Sequence, residues 1–188
     1  MHFKKINRRR LLKDAAALTA LGLGGLLPTE SLAAPLRLGQ PAPEATLISL
    51  NGTHYSTHDL LGRVVVLTFW ATWCLPCRRE LPALSTYAAR QEAAGLTVLG
   101  FSLDDTDQYT AVHEIAQTLS FPVGFFNATS APGYGRIWRM PANFTIDREG
   151  KLADNAWDDK QEPGWTTERL ERVLSPLLQN EGGQTKMF

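Results

Sequence analysis

Two thiols and a carboxylate stand at spacings that chemistry can use. Cys74 and Cys77 are the only cysteines in 188 residues, and Glu80 follows three residues after the second. A bridge across two intervening residues closes a very small loop and takes little entropy from the unfolded chain, so a structural staple explains the pair poorly. A Cys-x-x-Cys set between an apolar strand-like run and a helix-like one does redox work instead. Cys74 falls at the expected helix N-cap, where free backbone N–H groups and the helix dipole favour a thiolate. That makes Cys74 the attacking sulfur. Cys77, one turn further and more buried, resolves the mixed disulfide that forms. Pro76 suits the first turn, where its missing N–H is no loss. Structural zinc takes a tetrahedral set of N/S ligands, of which one Cys-x-x-Cys supplies half. His54, His58 and His113 are scattered along the chain, so no metal and no cofactor is expected. A Cu(I)-delivery module using both thiolates and a histidine is the metal-binding alternative.

The elements that must hold these groups follow from pattern. Residues 45–56 read as two short strands around the Asn51-Gly52 turn. Residues 57–62 suggest one helical turn ending at Gly62. Residues 63–71, RVVVLTFWA, form a β-branched and aromatic run expected of a strand buried on both faces. A helix is expected from Cys74 to about Glu92, with Leu81, Leu84, Tyr87 and Ala88 on one face and Gly95 closing it. Residues 96–105 predict a second buried strand, and residues 106–119 a helix with Val112, Ile115, Ala116 and Leu119 as its stripe. A short strand in FPVGFF, an alternating strand over residues 142–147, a turn at REGK and a partner strand in LADNAW come next. The last helix is expected over residues 166–179, kinked or shortened by Pro176. Strands alternating with helices imply an α/β fold with parallel strands at its centre and antiparallel ones at one side.

The first 33 residues read as an export signal. Lys4, Lys5, Arg8, Arg9, Arg10 and Lys13 precede an uncharged run over residues 15–27, and Ser31 and Ala33 suit cleavage after Ala33. That run is short of the ~20 residues that span a bilayer. The string NRRRLLK resembles a twin-arginine signal, so periplasmic export by that route is expected over the general secretory route. Of the nineteen Lys/Arg and nineteen Asp/Glu in the chain, six and two lie in residues 1–33; thirteen against seventeen remain, a net charge of −4. Such a mildly acidic domain, residues 34–180, gives no reason to expect nucleic acid as a partner. Residues 181–188 read as a flexible tail, and a monomer is expected.

With these residues in view, FWATWCLPCRRELPAL (69–84) resembles the active-site segment of TlpA/ResA-like thiol–disulfide oxidoreductases of the thioredoxin superfamily. LGQPAPEATLISLNGTHYSTHDLLGRVVVLTFWA resembles the N-terminal hairpin and first core strand of that family. GLTVLGFSLDD resembles its next strand, and MPANFTIDREGKL its proline loop, strand and turn. The resemblance implies a thioredoxin-like α/β fold: a central mixed sheet flanked by helices, with an N-terminal β-hairpin extension. It implies Cys74 as nucleophile, Cys77 as resolving cysteine, Trp73 as the aromatic shielding the disulfide, and Pro141 as a cis-proline facing it. Trp70, deeper in the strand, is assigned to packing, and Pro82 to a mid-helix kink. Thioredoxins proper carry a buried Asp beneath the disulfide, where Thr68 stands here. The resembled branch tunes its thiols with a Glu at the position of Glu80, one helical turn from Cys77 and on the same face. A half-buried carboxylate there would take the proton as Cys77 attacks.

The same resemblance implies the direction of electron flow. The family mostly reduces protein disulfides, drawing electrons from a membrane thiol carrier; its clients are haem-binding cysteines of apocytochrome c or copper-site thiols. Leu75-Pro76 offers no side-chain donor to a thiolate, which argues against a strong oxidant. Between Asp105 and Pro141 there is little room for the helical insertion of DsbA-type oxidants. A thiol oxidase or isomerase is the redox alternative. A peroxidase would need Thr or Ser three residues before its cysteine, where Ala71 stands.

Overall fold

The computed structural model describes residues 36–127, 129–157 and 164–179. The expected export signal and the tail beyond residue 180 lie outside the described residues. Strand β1 (Thr46–Ile48) and strand β2 (His54–Ser56) pair antiparallel around Asn51-Gly52, with Gly52 at φ +83°. The main sheet has the order β5-β4-β3-β6-β7. Strands β3 (Val64–Trp70), β4 (Leu96–Ser102) and β5 (Val123–Phe125) run parallel to one another; β6 (Ala142–Ile146) and β7 (Leu152–Asn155) complete it antiparallel. Helix α1 (Leu75–Gln91) links β3 to β4, α2 (Tyr109–Ala116) links β4 to β5, and α3 (Thr167–Gln179) follows β7.

The central strand explains the layering. Every residue of β3 is buried, and its side chains alternate between two cores. Val64, Val66 and Trp70 meet Leu81, Leu84 and Tyr87 of α1, Val112 of α2, and Leu170 and Leu174 of α3. Val65, Leu67 and Phe69 meet the second core, closed by Leu47 of the hairpin and by Ala131 and Tyr134. There Phe69 stacks on Phe101 at 4.9 Å, and Phe144 packs edge-on to Tyr134 at 4.8 Å. Each such fully buried side chain stabilises the fold by ~1.5–3 kcal/mol relative to exposure.

Four local expectations change. Residues 57–61 form successive i→i−3 turns instead of an α-helical turn, and Gly62, at φ +89°, donates to the Arg148 carbonyl. Strand β4 ends at Ser102, because Asp104 turns back to the Ser102 hydroxyl. Helix α2 starts after a 3₁₀ turn over Thr106–Gln108 and ends at Ala116, where the Thr118 hydroxyl takes the Ile115 carbonyl. Pro176 does not shorten α3, which runs through it to Gln179 with Leu174 and Leu178 buried on either side.

The hairpin is attached by close backbone approach. Leu50 N–H donates to Val123 O at 2.8 Å, and a Cβ on Gly124 would sit 2.1 Å from Ile48 O. Gly124→Ala is therefore expected to push the hairpin off β5 and cost ~1–3 kcal/mol in urea unfolding. Unchanged stability would show that the hairpin is not held at this point.

Candidate active site

The end of β3 and the start of α1 are held by a buried carboxylate that lies in neither. In the parallel register Trp70 stands beside Ser102, and Leu103 N–H donates to Trp70 O at 2.8 Å. This brings Asp104 under the loop that leaves β3. Asp104 accepts from the Thr72 N–H at 2.9 Å, the Thr72 hydroxyl at 2.6 Å and the Ser102 hydroxyl at 2.7 Å. Cys74 N–H then donates to Ala71 O, and Arg78 N–H to Cys74 O opens the helix.

Cys74 is the N-cap residue, in extended backbone conformation, and its Sγ accepts from the Cys77 N–H at 3.3 Å. Pro76 sits in the first turn. Cys74 and Cys77 form a disulfide, with Cys74 6% exposed and Cys77 fully buried. Around this small opening the surface is apolar: Trp73 is 68% exposed and Leu75 64%. Packing therefore does not account for Trp73, whereas Trp70 is wholly buried. Arg78 and Arg79 face solvent, and Pro82 lies inside α1.

Pro141 stands just before β6, the antiparallel neighbour of β3. Ala142 pairs with Phe69, which places Pro141 at the level of Trp70, at the end of the sheet where α1 begins. The Met140–Pro141 bond is cis, Pro141 is buried, and Met140 packs against the core that contains both cysteines.

Glu80 is buried, not half-buried, at 4% exposure. Its Oε2 accepts the Trp165 N–H at 2.6 Å, and Asn143 Nδ2 lies 3.2 and 3.3 Å from its two oxygens. Gly164 lies against both Glu80 and Pro141: a Cβ there would be 3.1 Å from Glu80 Oε2 and 3.9 Å from the proline ring. Burial pushes the Glu80 carboxyl up to about 7, against the lowering effect of the Trp165 and Asn143 hydrogen bonds and of the Arg169 charge. Glu80 is thus a group that changes charge near neutral pH, one helical turn from Cys77.

Asp104, Asn143, Trp165 and Arg169 did not emerge from the sequence. His54 and His58 are exposed, and His113 stacks on Tyr109 at 5.5 Å. Among the described residues no group of three His, Cys, Asp or Glu is placed to hold a metal ion.

Residues 38–155 match the AhpC/TSA family. The chain belongs to the AhpC/TSA family. Within it, this family member is similar to the thiol-disulfide oxidoreductase ResA of Bacillus cereus, 28% identical over 142 residues covering 76% of this chain and 79% of that one. It is 32% identical to the thioredoxin-like protein YneN of Bacillus subtilis over 119 residues, 62% and 69% of the two chains. A crystal structure of a candidate thiol:disulfide interchange protein DsbE from Chlorobium tepidum superposes with a TM-score of 0.62 at 30% identity, covering 76% of this chain and 99% of that one. This AhpC/TSA member is a ResA/TlpA-like thiol–disulfide oxidoreductase with a thioredoxin-like fold.

The Glu80 environment carries a stability signature. Its carboxyl moves from 4.5 in the unfolded reference to about 7 in the fold. Between those values the folded protein keeps a proton that the unfolded chain has released, so stability falls as pH rises through that window and is level above it. The fall is about 3 kcal/mol. Glu80→Gln removes this ionisation, so the variant should gain on the parent by that amount between pH ~4.5 and ~8. Urea unfolding with the disulfide intact checks it, and parallel pH profiles would contradict it.

Proposed function

We propose that this oxidoreductase is a periplasmic reductase of protein disulfides, with Cys74 as nucleophile and Cys77 as resolving thiol. The observation that carries the reading is the pair's placement: one sulfur at a helix N-cap beside a small apolar opening, the other buried behind it next to a carboxyl that titrates near neutrality. In the reduced protein, Cys74 thiolate attacks one sulfur of a client disulfide. A Cys74–client bond forms, the client S–S bond breaks, and one client thiolate leaves. Glu80 carboxylate takes the proton of the Cys77 thiol; Cys77 attacks Cys74 Sγ and expels the second client thiolate. Two electrons pass to the client, and the protein is left with the Cys74–Cys77 disulfide. A membrane thiol donor regenerates the dithiol.

Trp73 and Leu75 give the opening an apolar rim for a client backbone, and Pro141 lines its far side. Reduction is favoured over oxidation by the absence of a side-chain donor in Leu75-Pro76. It is favoured too by the stretch between β4 and β6, where the described residues form α2, β5 and two 3₁₀ turns and no helical domain. The periplasmic placement and the twin-arginine route rest on residues 1–33. Among the described residues no helix is long and apolar enough to cross a membrane. Apocytochrome c cysteines and copper-site thiols are the client classes proposed, and the working unit is a monomer.

Cys74→Ser should abolish reduction of insulin and of a disulfide CxxCH peptide, while Cys77→Ser should stall as a Cys74–client mixed disulfide, both with unchanged circular dichroism. Equilibration against a glutathione series should give a potential below that of the glutathione couple. A Cys74→Ser protein that still reduces would end the proposal, and a strongly oxidising potential would reverse its direction.

A further inference from the structure

The sheet face beneath α1 and α3 carries polar side chains where a core asks for apolar ones. Thr68 stands opposite Asn143 in the β3–β6 register, and Thr145 opposite Asp154 in the β6–β7 register. All four are at most 2% exposed. Two charged side chains descend on this strip. Glu80 from α1 meets Asn143, and Arg169 from α3, itself 2% exposed, pairs with Asp154 at 2.5 Å. The segment before α3 joins the two ends. Trp165 N–H binds Glu80, Gly164 O accepts from Arg169 Nη1 at 3.4 Å, and the Arg169 guanidinium lies 4.3 Å from the Trp165 ring centroid. One connected path runs from the active-site helix to the last helix.

A buried ion pair is a poor way to hold a helix, since apolar residues of the same volume serve stability as well or better. We infer that Arg169 and Asp154 are positioning residues that set the ionisation of Glu80: the guanidinium draws the carboxylate form, and Asp154 limits how much of that positive charge Glu80 experiences. This deepens the reading of Glu80 as proton acceptor for Cys77 and rests on it for its consequence in turnover. Among the described residues Glu80 meets Asn143 on β6 and the backbone of Gly164 and Trp165, with Cys77 one turn before it on α1; Arg169 on α3 acts on it by charge, and Asp154 on β7 is reached through Arg169. Arg169 is the charged group whose attraction adds to the Trp165 and Asn143 hydrogen bonds, as the smallest of the influences on Glu80.

The two halves of the pair must then act in opposite senses. Asp154→Asn takes one negative charge away from the guanidinium, which stays protonated, and Glu80 ionises at lower pH. Arg169→Gln removes the attraction, and Glu80 ionises at higher pH whether Asp154 remains charged or takes a proton. Each shift is on the order of one pH unit. Arg169→Lys, which keeps the charge and loses the fork, stays near the parent.

The experiment is a carboxyl carbon titration of the oxidised, glutamate-labelled protein by NMR, with the Glu80 signal assigned from Glu80→Gln. Midpoints ordered Asp154→Asn, parent, Arg169→Gln support the inference. Midpoints that move together, or not at all, overturn it. Should Arg169→Gln fail to fold, adding it to Asp154→Asn removes both charges, and the double variant must titrate above the single one; a double variant that does not overturns the inference equally. The titration needs no turnover, so it stands apart from the proposed activity. If the midpoints move as expected and the pH profile of disulfide reduction does not follow, the network stands and the role of Glu80 in resolving Cys77 falls.

Discussion

The site depends on the Cys74 sulfur standing where a helix presents unsatisfied backbone donors. The Cys77 N–H aimed at Cys74 Sγ is one of the orphan donors of the first helical turn. A thiolate at that point gains a charge-assisted hydrogen bond and the favourable end of the helix dipole without any cationic side chain. The first turn of α1 also contains no acidic residue to oppose it. Position is therefore everything. The loop between β3 and α1 has to end at one place, and Asp104 ensures this by binding both the backbone and the hydroxyl of Thr72.

The same helix faces two environments. Cys77, Leu81, Leu84 and Tyr87 are committed to the apolar core, while Glu80 reaches Asn143 on the polar strip of the sheet. Burial alone would leave the Glu80 carboxyl permanently protonated at neutral pH; hydrogen bonds alone would leave it permanently ionised. The balance near 7 arises because both act at once, with desolvation the larger. A group so poised exchanges a proton at small cost in either direction, which suits a step in which a buried thiol must lose one.

Much of this was legible in the sequence. The continuous run of β3, the proline in the first turn and the Cys-x-x-Cys spacing are local signals, and they gave the strand, the helix and the disulfide at its head. What was missed is long-range. Glu80 meets Asn143 across 63 residues and the Trp165 N–H across 85, and Thr72 meets Asp104 across 32. No periodicity announces such pairs. The alternation in ANFTID even conceals one, because Asn143 and Thr145 read as a solvent face and are fully buried beneath two helices. Arg169, in the run TERLERVL, likewise reads as an ordinary surface charge. Glu80 was expected to be half-buried for the same reason: nothing in its neighbours showed that α3 and the segment before it would cover it. Thr118 and Asp104 shortened α2 and β4 through side chains that bind backbone or hydroxyl groups nearby, which propensity does not register.

The pH dependence of Cys74 alkylation in the freshly reduced, folded protein tests the central claim most directly. An N-cap sulfur held as described should react with a midpoint clearly below the ~8.5 of a free cysteine. A midpoint at or above that value, or a Cys74 inert at neutral pH, would contradict the account.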